Sequence, residues 1–281
     1  MSKYIKITDE EYPDILKRIP EPPQKLYYIG DLSLLKTDHI VAIVGSRKAS
    51  QYGINIAFNI ARDLARKNVV IVSGMAQGID STAHRGCLYE NGKTIAVLGT
   101  GVDKCFPSGN KDLKKAIEEK GLVISEFEDG FSGSKYSFPL RNRIISGLSK
   151  VTIIVEAGLK SGALITADIA MNQGKTVYSV PGNINNAFSL GTNKLIQDGA
   201  QIFMNVNQVL NDIGIYEIDL SEHLYGDERK IYSVLKNNGE IAIETMVELL
   251  KIDRDRLYTA MVNLEMKGII YSAMGKIFIA K

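Results

Sequence analysis

The chain reads as a doubly wound α/β domain with a mostly parallel sheet, followed by a small winged-helix-like module. Three observations predict this. Between Ile40 and Phe203, short apolar β-branched runs alternate with helical stretches; glycine and serine gather where each run ends; and after Gly226 the runs give way to three helical segments and a hairpin. Runs that are apolar on both faces are covered on both sides, and helical intervals between them connect parallel neighbours.

Residues 1–39, with the stiff segment Glu21-Pro22-Pro23, are expected to be a lead-in packed on the next domain. Strands are expected at Ile40 to Val44, Val69 to Val72, Thr94 to Leu98, Leu122 to Ile124, Val151 to Val155, Thr176 to Val180 and, weakly, Gln201 to Phe203. The first long helix, near Tyr52 to Lys67, places Ile56, Ile60, Ala61 and Leu64 on one stripe, leaving Arg62, Arg66 and Lys67 to solvent. This domain spans 40–220, and Gly226-Asp227-Glu228 reads as a junction. In 226–281, helices near Glu228 to Asn237, Ile243 to Leu250 and Asp253 to Lys267 precede a hairpin, Ile269 to Ser272 and Lys276 to Ala280, around Met274-Gly275. Residues 221–281 hold nine Lys/Arg and nine Asp/Glu, whereas a strong duplex binder is usually basic. The third helix carries Arg254 and Arg256 opposite Leu257, Met261 and Leu264, which suits a solvated face on a packing or partner-binding module.

The 281 residues balance 34 Lys+Arg against 32 Asp+Glu, and 45% are hydrophobic, enough for a sizeable core. No apolar run approaches the ~20 residues of a membrane span, and no apolar h-region follows the charged start, so a cytoplasmic protein without membrane contact is expected. A net charge of +2 argues against a broad basic face on duplex nucleic acid but allows a local anion site. Cys87, Cys105, His39, His84 and His223 lack metal-site spacing, so neither a metal, a disulfide nor a cofactor is expected.

Chemistry is expected where the strands end. Gly45-Ser46-Arg47, Ser73-Gly74, Gly99-Thr100-Gly101, Glu126, Glu156 to Gly162 and Pro181-Gly182 each follow a strand, and a parallel sheet lines such turns along its carboxyl edge. Several lead into helix N-termini, which favour an anion such as phosphate, and glycine admits close backbone approach. Any one of these turns is explained by tight turning alone; the set is not. Nucleotide fingerprints fail. Gly86 to Gly92 encloses five residues where a P-loop has four, Gly92-Lys93-Thr94 and Gly174-Lys175-Thr176 lead into strands, and Gly99-x-Gly101 has Lys104 where a third glycine belongs. A triad of Ser73, Asp80 and His84 lacks the nucleophile elbow, since Ile71 stands two residues before the serine. Asp80 and His84, at i,i+4, suit a mutual hydrogen bond instead.

Lys135 to Arg143 combines cations, aromatics and an amide before a short helix, the composition of a single-strand contact: Lys135, Phe138, Arg141, Asn142 and Arg143 are its candidates. Arg141 shares helical spacing with Ile144, Ile145 and Leu148, so it either pairs inward with Glu126 or Glu156 or contacts ligand, while Arg143, about 200° round, is the freer. Ser161 before Gly162 caps the helix running to Gln173, with Thr166 one turn in.

In order along the chain, these residues resemble the bacterial DNA processing protein A family, also called Smf. The resemblance is carried by Val44-Gly45-Ser46-Arg47 with Tyr52-Gly53, by Ser73-Gly74-Met75-Ala76-Gln77-Gly78-Ile79-Asp80 with Ala83-His84, and by Phe138-Pro139-Leu140-Arg141-Asn142-Arg143. It continues through Val155-Glu156-Ala157, Ser161-Gly162, Leu164-Ile165-Thr166-Ala167, Val180-Pro181-Gly182, Gly191-Thr192-Asn193 and Gly199-Ala200. It implies an extended Rossmann-like domain that binds single-stranded DNA, forms homodimers, protects incoming strands and helps load the RecA recombinase in natural transformation, without catalysis. The family's DNA pocket carries over to Ser46, Arg47, Ser73, Gly74, Gly99, Lys135 and Phe138, with Ser161, Gly162 and Thr166. A C-terminal winged-helix-like module is found in many members, and the chain before Ile40 is too short for the N-terminal helical domain of some. The rival is a nucleotide-processing enzyme of the lysine-decarboxylase-like phosphoribohydrolase type, with a similar Pro-Gly…Gly-Thr signature. Here eight residues separate Pro181-Gly182 from Gly191-Thr192, and Leu195 stands where that family has a catalytic Glu.

Overall fold

The computed structural model describes residues 2–216 and 223–280, in two compact units, 1–216 and 217–281. The domain end expected at residue 220 lies outside the described residues.

The larger unit starts with β1 (Lys3–Lys6), α1 (Asp14–Lys17) and β2 (Lys25–Gly30). It continues through β3 (Ile40–Val44), α2 (Gln51–Ala65), β4 (Val70–Ser73), α3 (Ile79–Tyr89), β5 (Thr94–Val97), α4 (Lys111–Lys120) and β6 (Leu122–Ser125). Then come α5 (Ser137–Leu148), β7 (Val151–Ile154), α6 (Gly162–Asn172), β8 (Thr176–Ser179), α7 (Leu190–Gln197), β9 (Gln201–Ile202) and α8 (Val206–Asp212). One nine-stranded sheet results, in the order β1-β2-β6-β5-β4-β3-β7-β8-β9. From β6 to β9 every pairing is parallel; β3 is flanked by β4 and β7, with Val41 opposite both Ile71 and Val151.

The seven predicted strands all form, to within a residue or two at their ends. Their side chains alternate between two cores: in β3, Val41 and Ile43 pack with Ala57, Ile60, Ala61 and Leu64 of α2, while Ile40, Ala42 and Val44 pack with Ile144, Ile145 and Leu148 of α5. The lead-in is more than a covering segment. β2 pairs antiparallel with β6 and β1 with β2, extending the sheet at one edge. The lysines at both ends of β1 and Lys25 opposite Lys6 mark a solvent-facing edge.

The smaller unit holds α9 (Gly226–Asn238), β10 (Glu240–Ala242), α10 (Ile243–Leu250), α11 (Arg254–Met266), β11 (Ile270–Ala273) and β12 (Lys276–Ile279), its sheet ordered β10-β12-β11. Met274 and Gly275 both take positive φ, the conformation of a tight hairpin turn. Gly226 opens α9 and so is helix start rather than junction. Arg256 is not free on its helix face: its Nε donates to Asp227 Oδ2 at 3.0 Å. No helix among the described residues is long and apolar enough to cross a membrane.

Candidate functional site

The chain leaves β3 toward β4 on one side and later returns to pair β7 on the other. In open α/β sheets the crevice outside the strands' carboxyl ends at such a reversal is the ligand site. Here it is a cavity of about 630 Å³. The β3–α2 turn contributes Gly45, Ser46, Arg47 and Lys48; the start of α5 contributes Phe138, Arg141 and Asn142; the β7–α6 loop and first turns of α6 contribute Lys160, Ser161, Gly162 and Thr166. Nine predicted residues are thereby brought together, from Gly45 to Thr166.

Close packing builds the β3–α2 turn. A Cβ on Gly45 would lie 2.6 Å from the Ile79 side chain, so only glycine lets α3 approach. Ser46 N donates to Glu156 O at 2.7 Å and its carbonyl accepts from Ile79 N at 3.2 Å, tying the turn to both neighbouring loops. Ser46 Oγ accepts from Lys48 N at 3.1 Å. The N-terminus of α2 is already satisfied: Ser50 caps Gly53 N, and the buried Glu156 accepts from Ser50 N and Oγ at 2.7 and 2.6 Å. A negative side chain in that place suits the helix dipole and leaves no room for an outside anion. The N-terminus of α6 differs. Ser161 Oγ accepts from Ala163 N at 3.3 Å, but the space above Gly162 is open.

Arg141 points inward, and its partner corrects the expectation. It is buried, donates to the carbonyls of Gly74 and Val97, and faces the buried Asp80, with neither Glu126 nor Glu156 as partner. Gly74 makes room, since a Cβ there would sit 2.5 Å from the guanidinium. Burial raises the Asp80 pKa, opposed by Arg141 and by N–H groups of Ala76, Gly45 and Gly74. Burial first, then Asp80 and Arg47, set Arg141 at about 10, still protonated at neutral pH. The Asp80–His84 hydrogen bond does not form. His84 Nδ1 lies 2.7 Å from Thr94 Oγ1, whose own hydroxyl donates to Ile71 O, so Nδ1 carries the proton. Burial lowers the His84 pKa to about 3, with Arg141 adding to it.

Arg143, expected to be freer, is also committed: Nη1 and Nη2 donate to the two Glu126 oxygens at 2.7 Å each, and Nε to Glu21 O. Ser73 faces the sheet interior, its hydroxyl bonded to Ile43 O at 2.6 Å. Gly101 spends its N–H on Phe131 O at 2.8 Å and packs on Glu128 O, outside the cavity. Gly99 acts indirectly: a Cβ would lie 2.7 Å from the Phe138 ring, so the glycine seats that ring. The Arg47 guanidinium stands 5.9 Å from the Phe138 centroid and the Phe106 ring 5.1 Å from it. With Gly74, these three residues line an adjoining cavity of about 160 Å³. Lys135 is exposed and does not line either cavity; its Nζ stands over the Tyr136 ring at 5.0 Å.

Sequence reasoning passed over Lys48, Lys160 and Phe106. Two are cations inside phosphate-type turns, which was signal enough; Phe106 is distant in the chain from Phe138 and carried none. Among the described residues, Arg47, Lys48, Lys135 and Lys160 have no carboxylate at ion-pair distance. Two carboxylates near these turns are engaged, Glu126 with Arg143 and Glu156 with Ser50, while Asp80 lines the cavity and is buried. Among the described residues no cluster of His, Cys, Asp and Glu could hold a metal ion.

Residues 3–214 match the family described as DNA recombination-mediator protein A. The chain is 44% identical over 204 residues to DNA processing protein DprA of Streptococcus pneumoniae, covering 73% of this chain and 72% of that one. It is 41% identical over 226 residues to protein Smf of Synechocystis, 79% of this chain but 56% of the relative, so it spans little more than half that protein's length. The X-ray structure of the Streptococcus pneumoniae protein superposes with a TM-score of 0.72 at 42% identity, covering 75% of this chain and 74% of that one. DNA processing protein A of Helicobacter pylori, whose solved structure concerns its single-stranded DNA binding mode, gives 0.68 at 35% identity, covering 75% of this chain and 97% of that one.

Proposed function

The chain belongs to the DNA recombination-mediator protein A family, and on that premise we propose that it binds single-stranded DNA without catalysis through the cavity at the β3/β7 reversal. The observation that carries this reading is the convergence there of unpaired cations, an open helix N-terminus and an aromatic ring. The N–H groups at Gly162 with Lys160 and Arg47 suit phosphate oxygens. The Phe138 face suits an unstacked base, which a duplex does not present. The Helicobacter pylori relative's single-stranded DNA binding supports the same ligand.

The wider role rests on family membership: a cytoplasmic homodimer that protects incoming strands and helps load the RecA recombinase in natural transformation, with 226–281 as a winged-helix-like module. The binding claim is tested by fluorescence anisotropy of labelled oligo-dT. Arg47→Ala and Lys160→Ala each weaken binding and lower its salt dependence; unchanged affinity in both removes the site. The rival enzyme is tested by incubation with nucleoside monophosphates, where release of free base overturns the non-catalytic reading.

A further inference from the structure

Phe138 is not the only ring on the cavity wall. Phe188, in the β8–α7 loop, also lines it and keeps 39% of its surface exposed. No ring of the described residues pairs with it.

The loop that carries it is held on both sides. Asn193 takes the Gly182 N–H on Oδ1 at 3.1 Å and returns Nδ2 to the Gly182 carbonyl at 3.0 Å. Ser189 is buried against Gly182, where a Cβ would lie 2.1 Å from Ser189 Oγ. Gly191 N donates to Ala157 O at 2.8 Å, which fastens the loop to the one leading into α6. Phe188 N donates to Asn186 Oδ1 at 3.0 Å. A large apolar side chain is therefore presented to the cavity by a backbone that is pinned, the arrangement of a preformed contact.

The two rings belong to different ends of the site. Phe138 sits on Gly99, after β5, whereas Phe188 follows β8, and β4, β3 and β7 stand between those strands. At about 4.8 Å between neighbouring strands, those two strand ends are roughly 15 to 20 Å apart. The two rings hang from different elements and do not pair with one another, so each offers a face of its own to a base.

We propose that Phe188 stacks a second unpaired base, at the β8 end of the cavity, and so sets the length of strand the site holds. This rests on the single-stranded DNA reading. The linking sugar-phosphate is held by Arg47, Lys160 and the first turn of α6, which line the same cavity as both rings.

The chain has no tryptophan, so Phe188→Trp introduces its sole indole. Oligo-dT is expected to quench that fluorescence at the concentrations where anisotropy reports binding, while an abasic oligomer of equal length binds without quenching. Phe188→Ala is expected to weaken oligo-dT roughly tenfold and to leave the abasic oligomer unchanged. Because the ring is at the surface, both variants keep the wild-type melting temperature. An indole that stays bright when oligo-dT is bound, or wild-type oligo-dT affinity in Phe188→Ala, overturns the second platform while leaving the site itself standing. Failure of the wild-type protein to bind oligo-dT at all overturns both.

Discussion

Replacing Arg141 by leucine separates a structural arginine from a ligand-binding one. The side chain is only 4% exposed, its guanidinium holds the Gly74 and Val97 carbonyls, and its charge faces Asp80, itself 6% exposed. Arg141→Leu strips two buried carbonyls of their donor, at about 1 to 3 kcal/mol each, and removes the positive charge that opposes the burial shift of Asp80. For a unit of this size each kcal/mol moves the melting midpoint by roughly 2 to 4 °C, so a drop on the order of 10 °C is expected. Circular dichroism melts of the larger unit's transition measure it, alongside oligo-dT anisotropy below that transition. The pH dependence carries a sign. Burial already holds Asp80 above its ordinary pKa, and losing Arg141 raises it further. An acid with a raised folded pKa adds stability below its unfolded pKa and loses it as pH rises through the folded value. The variant's deficit is therefore largest near neutrality and narrows toward about pH 4, where Asp80 is neutral. A variant that melts with the wild type yet fails to bind oligo-dT would refute this assignment and make Arg141 a ligand contact.

Gly162→Val is expected to fold normally, because nothing lies within 4 Å of the added Cβ, and to weaken oligo-dT binding by covering the α6 amides. Arg143→Ala and Arg47→Ala should behave as opposites in melts and anisotropy. The first breaks the two-pronged bond to Glu126 and lowers stability by about 1 to 3 kcal/mol with DNA affinity retained; the second weakens binding with stability retained. His84 is buried and neutral with a pKa near 3, so native stability is full above its unfolded value of about 6.5 and is lost as pH falls toward 3, by up to ~1.4 kcal/mol per pH unit. His84→Leu should flatten that acid limb in pH-dependent denaturation; an unchanged limb shows that another group titrates there.

The interior of the sheet was legible because strands covered on both faces leave unbroken apolar runs such as Ile40-Val41-Ala42-Ile43-Val44. The edge strand β1 was not, since it needs polar groups on its open side, and Lys3 and Lys6 frame a single buried Ile5. At the site, parallel topology alone carried Gly45, Ser46, Arg47, Ser161, Gly162 and Thr166 to one rim, as strand ends must converge. What topology does not determine is which turn groups are consumed internally. Ser73 bonds a carbonyl thirty residues upstream, and Glu126 reaches Arg143 across seventeen residues, choices made by tertiary packing rather than local pattern. Helical spacing turned Arg141 inward correctly, yet its counter-charge is on α3, which no i,i+4 rule reaches.

Titrating the wild-type protein with oligo-dT and with duplex DNA across a salt series tests the central claim most directly. With Arg47, Lys48 and Lys160 lining the cavity and Lys135 exposed three residues before Phe138, the expected slope of log K against log salt for the single strand is about −3, from roughly −0.7 per phosphate neutralised. Duplex of the same length is expected to bind more weakly at every salt concentration. A flat single-strand response, or duplex binding as tight as oligo-dT, contradicts the proposal.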